Sequence, residues 1–160
     1  VLGLLFSCLN FRALLLQVTA FTVAHSITLA FASLGLIKIP GSIVEPLIAL
    51  SIVWIAIENC VFKKPTNWRY LVVFSFGLLH GLGFASVLSY YGLPKENFIS
   101  LLLAFNIGVE LGQLSILILA FLLMNLLLTK RFQIDKIRVI SSIIIGAIGL
   151  FWLIERVTIT

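Results

Sequence analysis

Charge is scarce in this 160-residue chain: Asp, Glu, Lys and Arg make up 11% of it, against 61% hydrophobic residues and a mean hydropathy of +1.21. A soluble domain carries roughly a quarter charged residues, so water is excluded as the main solvent. Cysteine is nearly missing as well. Cys8 and Cys60 have neither CxxC nor Cys/His spacing, which excludes a disulfide framework and a zinc knuckle. The chain has no low-complexity tract, no solenoid-length repeat, no HExxH motif and nothing that looks like an ATP-binding site. Its net charge of +5 is not a nucleic-acid footprint, because the basic residues stand singly or in pairs between apolar segments, without interleaved aromatics.

Long apolar runs are what the chain does have. A helix needs ~20 apolar residues to cross a hydrocarbon core about 30 Å thick. The runs therefore predict an all-α, polytopic transmembrane helix bundle, a single domain over residues 1–160 with no room for a soluble one. Residues 1–9 are apolar but too short to span, and their charge, Arg12, follows the run, whereas a signal peptide places charge before it. They read as the tail of a truncated leading helix. Five complete spans are expected after it, at 13–37, 43–62, 70–91, 98–128 and 139–154, the first four separated by Pro-, Gly- or Asn-containing turns.

Alternate loops differ in charge. One side carries Arg12, Lys63, Lys64, Arg69, Lys130, Arg131, Lys136 and Arg138, and the other only Lys38, Lys95 and Arg156. The positive-inside rule then predicts cytoplasmic loops at 63–69 and 129–138 and an outer C-terminus. Trp54, Trp68, Trp152, Tyr70, Tyr90 and Tyr91 read as interfacial anchors.

Ionisable side chains inside a span are costly and usually face the bundle interior or an aqueous cavity. His25, His80 and Glu110 fall at similar depth on three different predicted helices. Asn106, Glu110 and Gln113 share one helical stripe, and Thr19, Thr22, Ser26 and Ser33 form another beside His25. The pairs Gly77/Gly81 and Gly108/Gly112 predict close packing of the third and fourth complete helices. Imidazole and carboxylate suit Ni, Co, Zn or Fe better than Mg or Ca. His25, His80 and Glu110 are thus the candidate metal ligands, with Thr22, Ser26, Glu45, Glu58, Asn106 and Gln113 as supporting or pathway residues. Plainer roles stand beside these: histidines bonded to a neighbouring helix, and a protonated Glu110 acting as packing glue. Glu45 has capping-box spacing from Ser42. Glu58 either pairs with Lys63 or Arg12 or, on one face with Ser51 and Trp54, lines an exit path.

With these residues in place, the chain resembles the HupE/UreJ membrane protein family. The matching phrases are Thr19-Ala20-Phe21-Thr22-Val23-Ala24-His25-Ser26-Ile27-Thr28-Leu29, Val44-Glu45-Pro46-Leu47-Ile48-Ala49-Leu50-Ser51, Phe76-Gly77-Leu78-Leu79-His80-Gly81-Leu82-Gly83-Phe84-Ala85 and Phe105-Asn106-Ile107-Gly108-Val109-Glu110-Leu111-Gly112-Gln113. The resemblance implies six helices, a bacterial inner membrane, and uptake or handling of nickel or cobalt for metalloenzymes such as hydrogenase and urease. It also implies an Asp-His motif in the first helix. No aspartate precedes Asp135 here, so further ligands are expected upstream of Val1.

The expected function is a membrane permease or metal-handling protein for a divalent transition metal, nickel or cobalt, driven by a gradient or a partner and without a tightly bound cofactor. Its expected partners are the lipid bilayer, the metal ion, and further copies or metalloenzyme-maturation proteins, with no nucleic acid. Two rivals are an intramembrane hydrolase, using a metal or Ser26 with His80 as base, and a structural or assembly subunit.

Overall fold

A chain in hydrocarbon must satisfy its backbone N–H and C=O groups internally, and a helix does so without a partner strand. The computed structural model describes residues 2–7, 11–62, 66–91, 97–127 and 131–159, and no strand occurs among them. Six helices follow in order: α1 Leu2–Ser7, α2 Phe11–Ser33, α3 Gly41–Val61, α4 Arg69–Tyr91, α5 Phe98–Leu127 and α6 Arg131–Ile159. Four stretches, Phe11–Ser33, Gly41–Val61, Ile99–Met124 and Asp135–Thr158, are long and apolar enough to cross a membrane, and α4 adds a shorter apolar stretch at Arg69–Ala85. Cys8, the basic pair Lys63 and Lys64, the turn at 92–96 and Lys130 lie outside the described residues, as do the side chains of Tyr90, Tyr91 and Arg131.

Two helix ends differ from the sequence expectation. α2 stops at Ser33 and not at Ile37, because Gly35 takes a left-handed conformation (φ 75°). The Leu36 amide then reaches back to the Phe31 carbonyl and the Gly35 amide to that of Ala32, a Schellman closure. α6 starts eight residues before Val139, and an Asp135–Arg138 contact at 3.5 Å, one turn apart, supports its charged first turns.

The most extensive contacts are α2 with α4 and α3 with α6. Among the described residues, sequence neighbours α2 and α3 do not pack extensively, nor do α5 and α6. Small residues decide this. A Cβ at Gly77 would meet Phe21 O and Ala24 Cβ on α2, and one at Gly81 would meet Thr28 Oγ1, His25 O and Leu29 N. The Thr28 hydroxyl donates to Leu78 O across the same contact at 2.7 Å. On the other pair, Gly146 lies against Ala56 and Gly149 against Ile52 and Val53. α1 is enclosed by the bundle, with Leu5 fully buried beside Leu14, Val18, Ile55 and Leu117.

Gly108 and Gly112 behave differently from the expectation. Nothing lies within 4 Å of a Cβ at either position, and α4 packs on α2 instead of on α5. α5 turns Ile99, Leu103, Ile107 and Leu111 outward, as a helix solvated by hydrocarbon would.

Buried charge closes one end of the bundle. Arg69, 1% exposed, ion-pairs with Glu58 at 2.7 Å, and Thr66 Oγ1 donates to the same carboxylate at 2.9 Å. Asn59 accepts from Arg69 and donates to the Gly3 carbonyl at 2.8 Å, which ties α1, α3 and α4 together. Glu58 was expected to pair with Lys63 or Arg12; it pairs with Arg69, which the sequence offered only as a topology signal, and Lys63 lies outside the described residues.

Two stability outcomes are expected in detergent-solubilised protein, read by thermal unfolding. Gly81→Ala forces a methyl into backbone atoms of α2 and costs about 1–3 kcal/mol, whereas Gly112→Ala leaves stability unchanged or raises it. Arg69→Ala strands the Glu58 carboxylate and costs about 3–5 kcal/mol, while replacing both partners with apolar residues costs much less. Equal effects of the two glycine variants, or a neutral Arg69→Ala, would contradict these assignments.

Candidate metal site

The α2–α4 contact brings both histidines to one aromatic cluster. Phe21 stacks on His25 one turn along α2, with centroids 6.2 Å apart and planes 11° apart, and meets the His80 ring edge-on at 5.0 Å. Phe84, one turn beyond His80 on α4, meets His25 edge-on at 5.4 Å and touches Phe105 of α5 at 5.9 Å. Both imidazoles thus have Phe21 as a neighbour.

Their hydrogen bonding differs. His80 Nδ1 lies 2.8 Å from the Phe76 carbonyl, which can only accept, so Nδ1 carries the proton and Nε2 keeps its lone pair. His25 is 2% exposed, and neither of its ring nitrogens has a hydrogen-bond partner among the described residues. Leaving a buried polar group unpaired costs about 1–3 kcal/mol.

The amide stripe of α5 is partly engaged. Gln113 Oε1 accepts from the Thr22 hydroxyl at 3.3 Å, joining α5 to α2 at the level of the histidines. Asn106 donates to Leu102 O in its own helix, and its buried Oδ1 has no partner among the described residues. Glu110 is half-buried and makes no hydrogen bond or ion pair with the described residues. Ser26 donates to Thr22 O at 2.7 Å, so its hydroxyl is committed to its own helix and not to His80. Among the described residues, no three His, Cys, Asp or Glu side chains converge to hold a metal ion. The structure thus brings His25 and His80 together and leaves Glu110 one turn from Gln113 on the neighbouring helix.

Two cavities meet at His80. The inner one, about 120 Å³, is lined by Gly3, Phe21, Ser51, His80, Gln113 and Ile145 among others, and so draws on all six helices. The second, about 340 Å³, lies towards the start of α3 and the end of α6, with Glu45, His80, Phe84, Trp152 and Arg156 in its wall. Ile52 borders both. Either is roomy enough for water or an ion.

Other pathway residues move from their expected places. Glu45 does not close a capping box: Pro40 caps α3 without a side-chain bond, and Glu45 Oε2 pairs with Arg156 at 2.9 Å. Ser51 and Glu58 are buried, but Trp54 is 55% exposed, so the three do not line one path. Trp54 stands about 60° round the helix from Ser51, enough for its ring to leave the buried face. Phe21, Phe84 and Arg156 escaped the sequence reading. The aromatic at i−4 from His25 and i+4 from His80 was the available signal for the first two.

A family model described as HupE / UreJ protein matches residues 1–156, essentially the whole chain. The chain belongs to the HupE/UreJ family. Among curated proteins nothing matches, and no solved structure matches. The HupE/UreJ family is associated with nickel or cobalt uptake and metal handling, and is not a known enzyme class. In this HupE/UreJ protein the phrases around His25 and His80 are the segments that build the α2–α4 contact, and the phrase around Glu110 supplies the Gln113 tie.

Proposed function

We propose that this HupE/UreJ protein is a permease or handling protein for a divalent transition metal, nickel or cobalt, and that the ion is held in passing by His25 and His80 between α2 and α4. The observation that carries the reading is the state of the two imidazoles. His80 donates Nδ1–H to a backbone carbonyl and keeps Nε2 for a ligand, the arrangement in which metal-binding histidines are usually fixed. His25 is buried in the same aromatic cluster with both nitrogens unpartnered.

Neutral imidazoles alone do not offset a dication in a low-dielectric interior. Glu110 is the carboxylate on the facing helix that supplies the charge, and Gln113 and Asn106 offer amide oxygens on the same stripe. Thr22 orients Gln113 through its hydroxyl. An open set of two nitrogens and weak oxygens binds loosely, which suits release. The inner and outer cavities on either side of His80 give the ion a route in each direction. In this proposal the protein is multi-pass in a bacterial inner membrane, with the Arg69 end of the bundle cytoplasmic, the C-terminus outside, and further copies or metalloenzyme-maturation proteins as partners.

Uptake of radioactive nickel by proteoliposomes tests the site. His25→Ala and His80→Ala are each expected to lower uptake by roughly 10- to 100-fold, with Glu110→Gln slowing it as well. Unchanged uptake in all three variants would remove the assignment. Orientation has its own measurement, in a Cys8→Ala, Cys60→Ala background. An impermeant maleimide added to cells should label the Ile39→Cys variant at once and the Trp68→Cys variant only after permeabilisation; the opposite pattern would invert the topology.

A further inference from the structure

The outer cavity has the His80 imidazole in its wall, and an ion pair lines it as well. Glu45 is in the second turn of α3 and Arg156 in the last turns of α6, 2.9 Å apart. The two helices are already locked lower down, where Gly146 and Gly149 sit against Ala56, Ile52 and Val53. The Glu45–Arg156 contact is thus a tie at the open end of a pair whose middle is fixed. Both side chains are about half exposed, at 41% and 52%, in contrast to the Glu58–Arg69 pair at the opposite end. An exposed pair holds weakly and exchanges partners readily. Below it, Ala49 is 3% exposed although it lines the cavity, as do Phe84, which touches His25, and His80 itself.

We propose that Glu45 is the recruitment site for the incoming divalent cation and that Arg156 is its built-in competitor, so that the ion pair is a gate opened by the ion it admits. A dication and a guanidinium compete for one carboxylate. When the cation takes Glu45, Arg156 loses its hold on α3, the mouth widens, and the cation is left at the top of a cavity whose far wall carries the His80 imidazole. Without the cation the carboxylate is neutralised by Arg156, which also places positive charge at the mouth and disfavours monovalent cations that cannot displace it. The inference rests on the reading that the metal reaches His80 through this cavity.

The test separates the gate from the transport reading. In the Cys8→Ala, Cys60→Ala background, the Ala49→Cys variant places a thiol in the cavity wall, and its rate of modification by a charged methanethiosulfonate reagent is measured in nanodiscs without metal. Arg156→Gln is expected to raise that rate several-fold, since it removes the tie. Equal rates with and without Arg156 would overturn the gate whether or not the protein transports metal. In proteoliposomes, Arg156→Gln is expected to lower the nickel concentration for half-maximal uptake and Glu45→Gln to raise it. Half-saturation unmoved by either variant would overturn the competition. Absence of uptake by the unaltered protein would overturn the permease reading and leave the thiol measurement to decide the gate.

Discussion

Gly77 and Gly81 let α4 lie directly on the backbone of α2, and most of what is distinctive about this protein follows from that contact. In hydrocarbon there is no hydrophobic force to press helices together, so association depends on close van der Waals approach and on polar ties such as Thr28 to the Leu78 carbonyl. With no side chain between the two helices, the residues flanking the glycines are forced against each other. Phe21 and His25 from α2 meet His80 and Phe84 from α4, so that both imidazoles sit among aromatic rings while His80 is also fixed by the Phe76 carbonyl. A packing device thereby brings the two imidazoles into one aromatic cluster.

Polar groups are spread unevenly along the bundle, and their burial sets how firmly each level is held. At the Arg69 end, a buried ion pair, an amide and a backbone carbonyl of α1 are interlocked, and opening them would expose charge to a low dielectric. At the other end, Glu45 and Arg156 meet in a half-exposed position above a cavity. Between them lie the imidazoles. One end is held by a buried ion pair and the other by a half-exposed one.

Family membership and geometry bear on different statements. The family match covers nearly the whole chain and carries the association with nickel or cobalt. The structure adds the tautomer of His80, the unpartnered state of His25 and the two cavities. None of these is contained in a family phrase, because a phrase records residue types and not which lone pair is occupied.

Much of the outline was legible in the sequence for simple reasons. Scarce charge and apolar runs of spanning length dictate helices in lipid, and a histidine in the middle of such a run marks itself as costly. What the sequence could not supply was partner choice. Gly77/Gly81 and Gly108/Gly112 have the same spacing, yet the first pair is filled by α2 and the second meets open space, since only the bundle decides which face is covered. Glu45 had a local capping partner at hand in Ser42, and Glu58 had nearby lysines; both instead pair with arginines, Arg156 more than a hundred residues along and Arg69 across the α3–α4 turn. The sequence by itself determined that His25, His80 and Glu110 had to face the bundle interior or water, because lipid penalises the alternative. Only the tertiary structure decided that the two histidines share Phe21 while Glu110 stands apart on α5, because side chains distant in sequence meet only where helix backbones can approach.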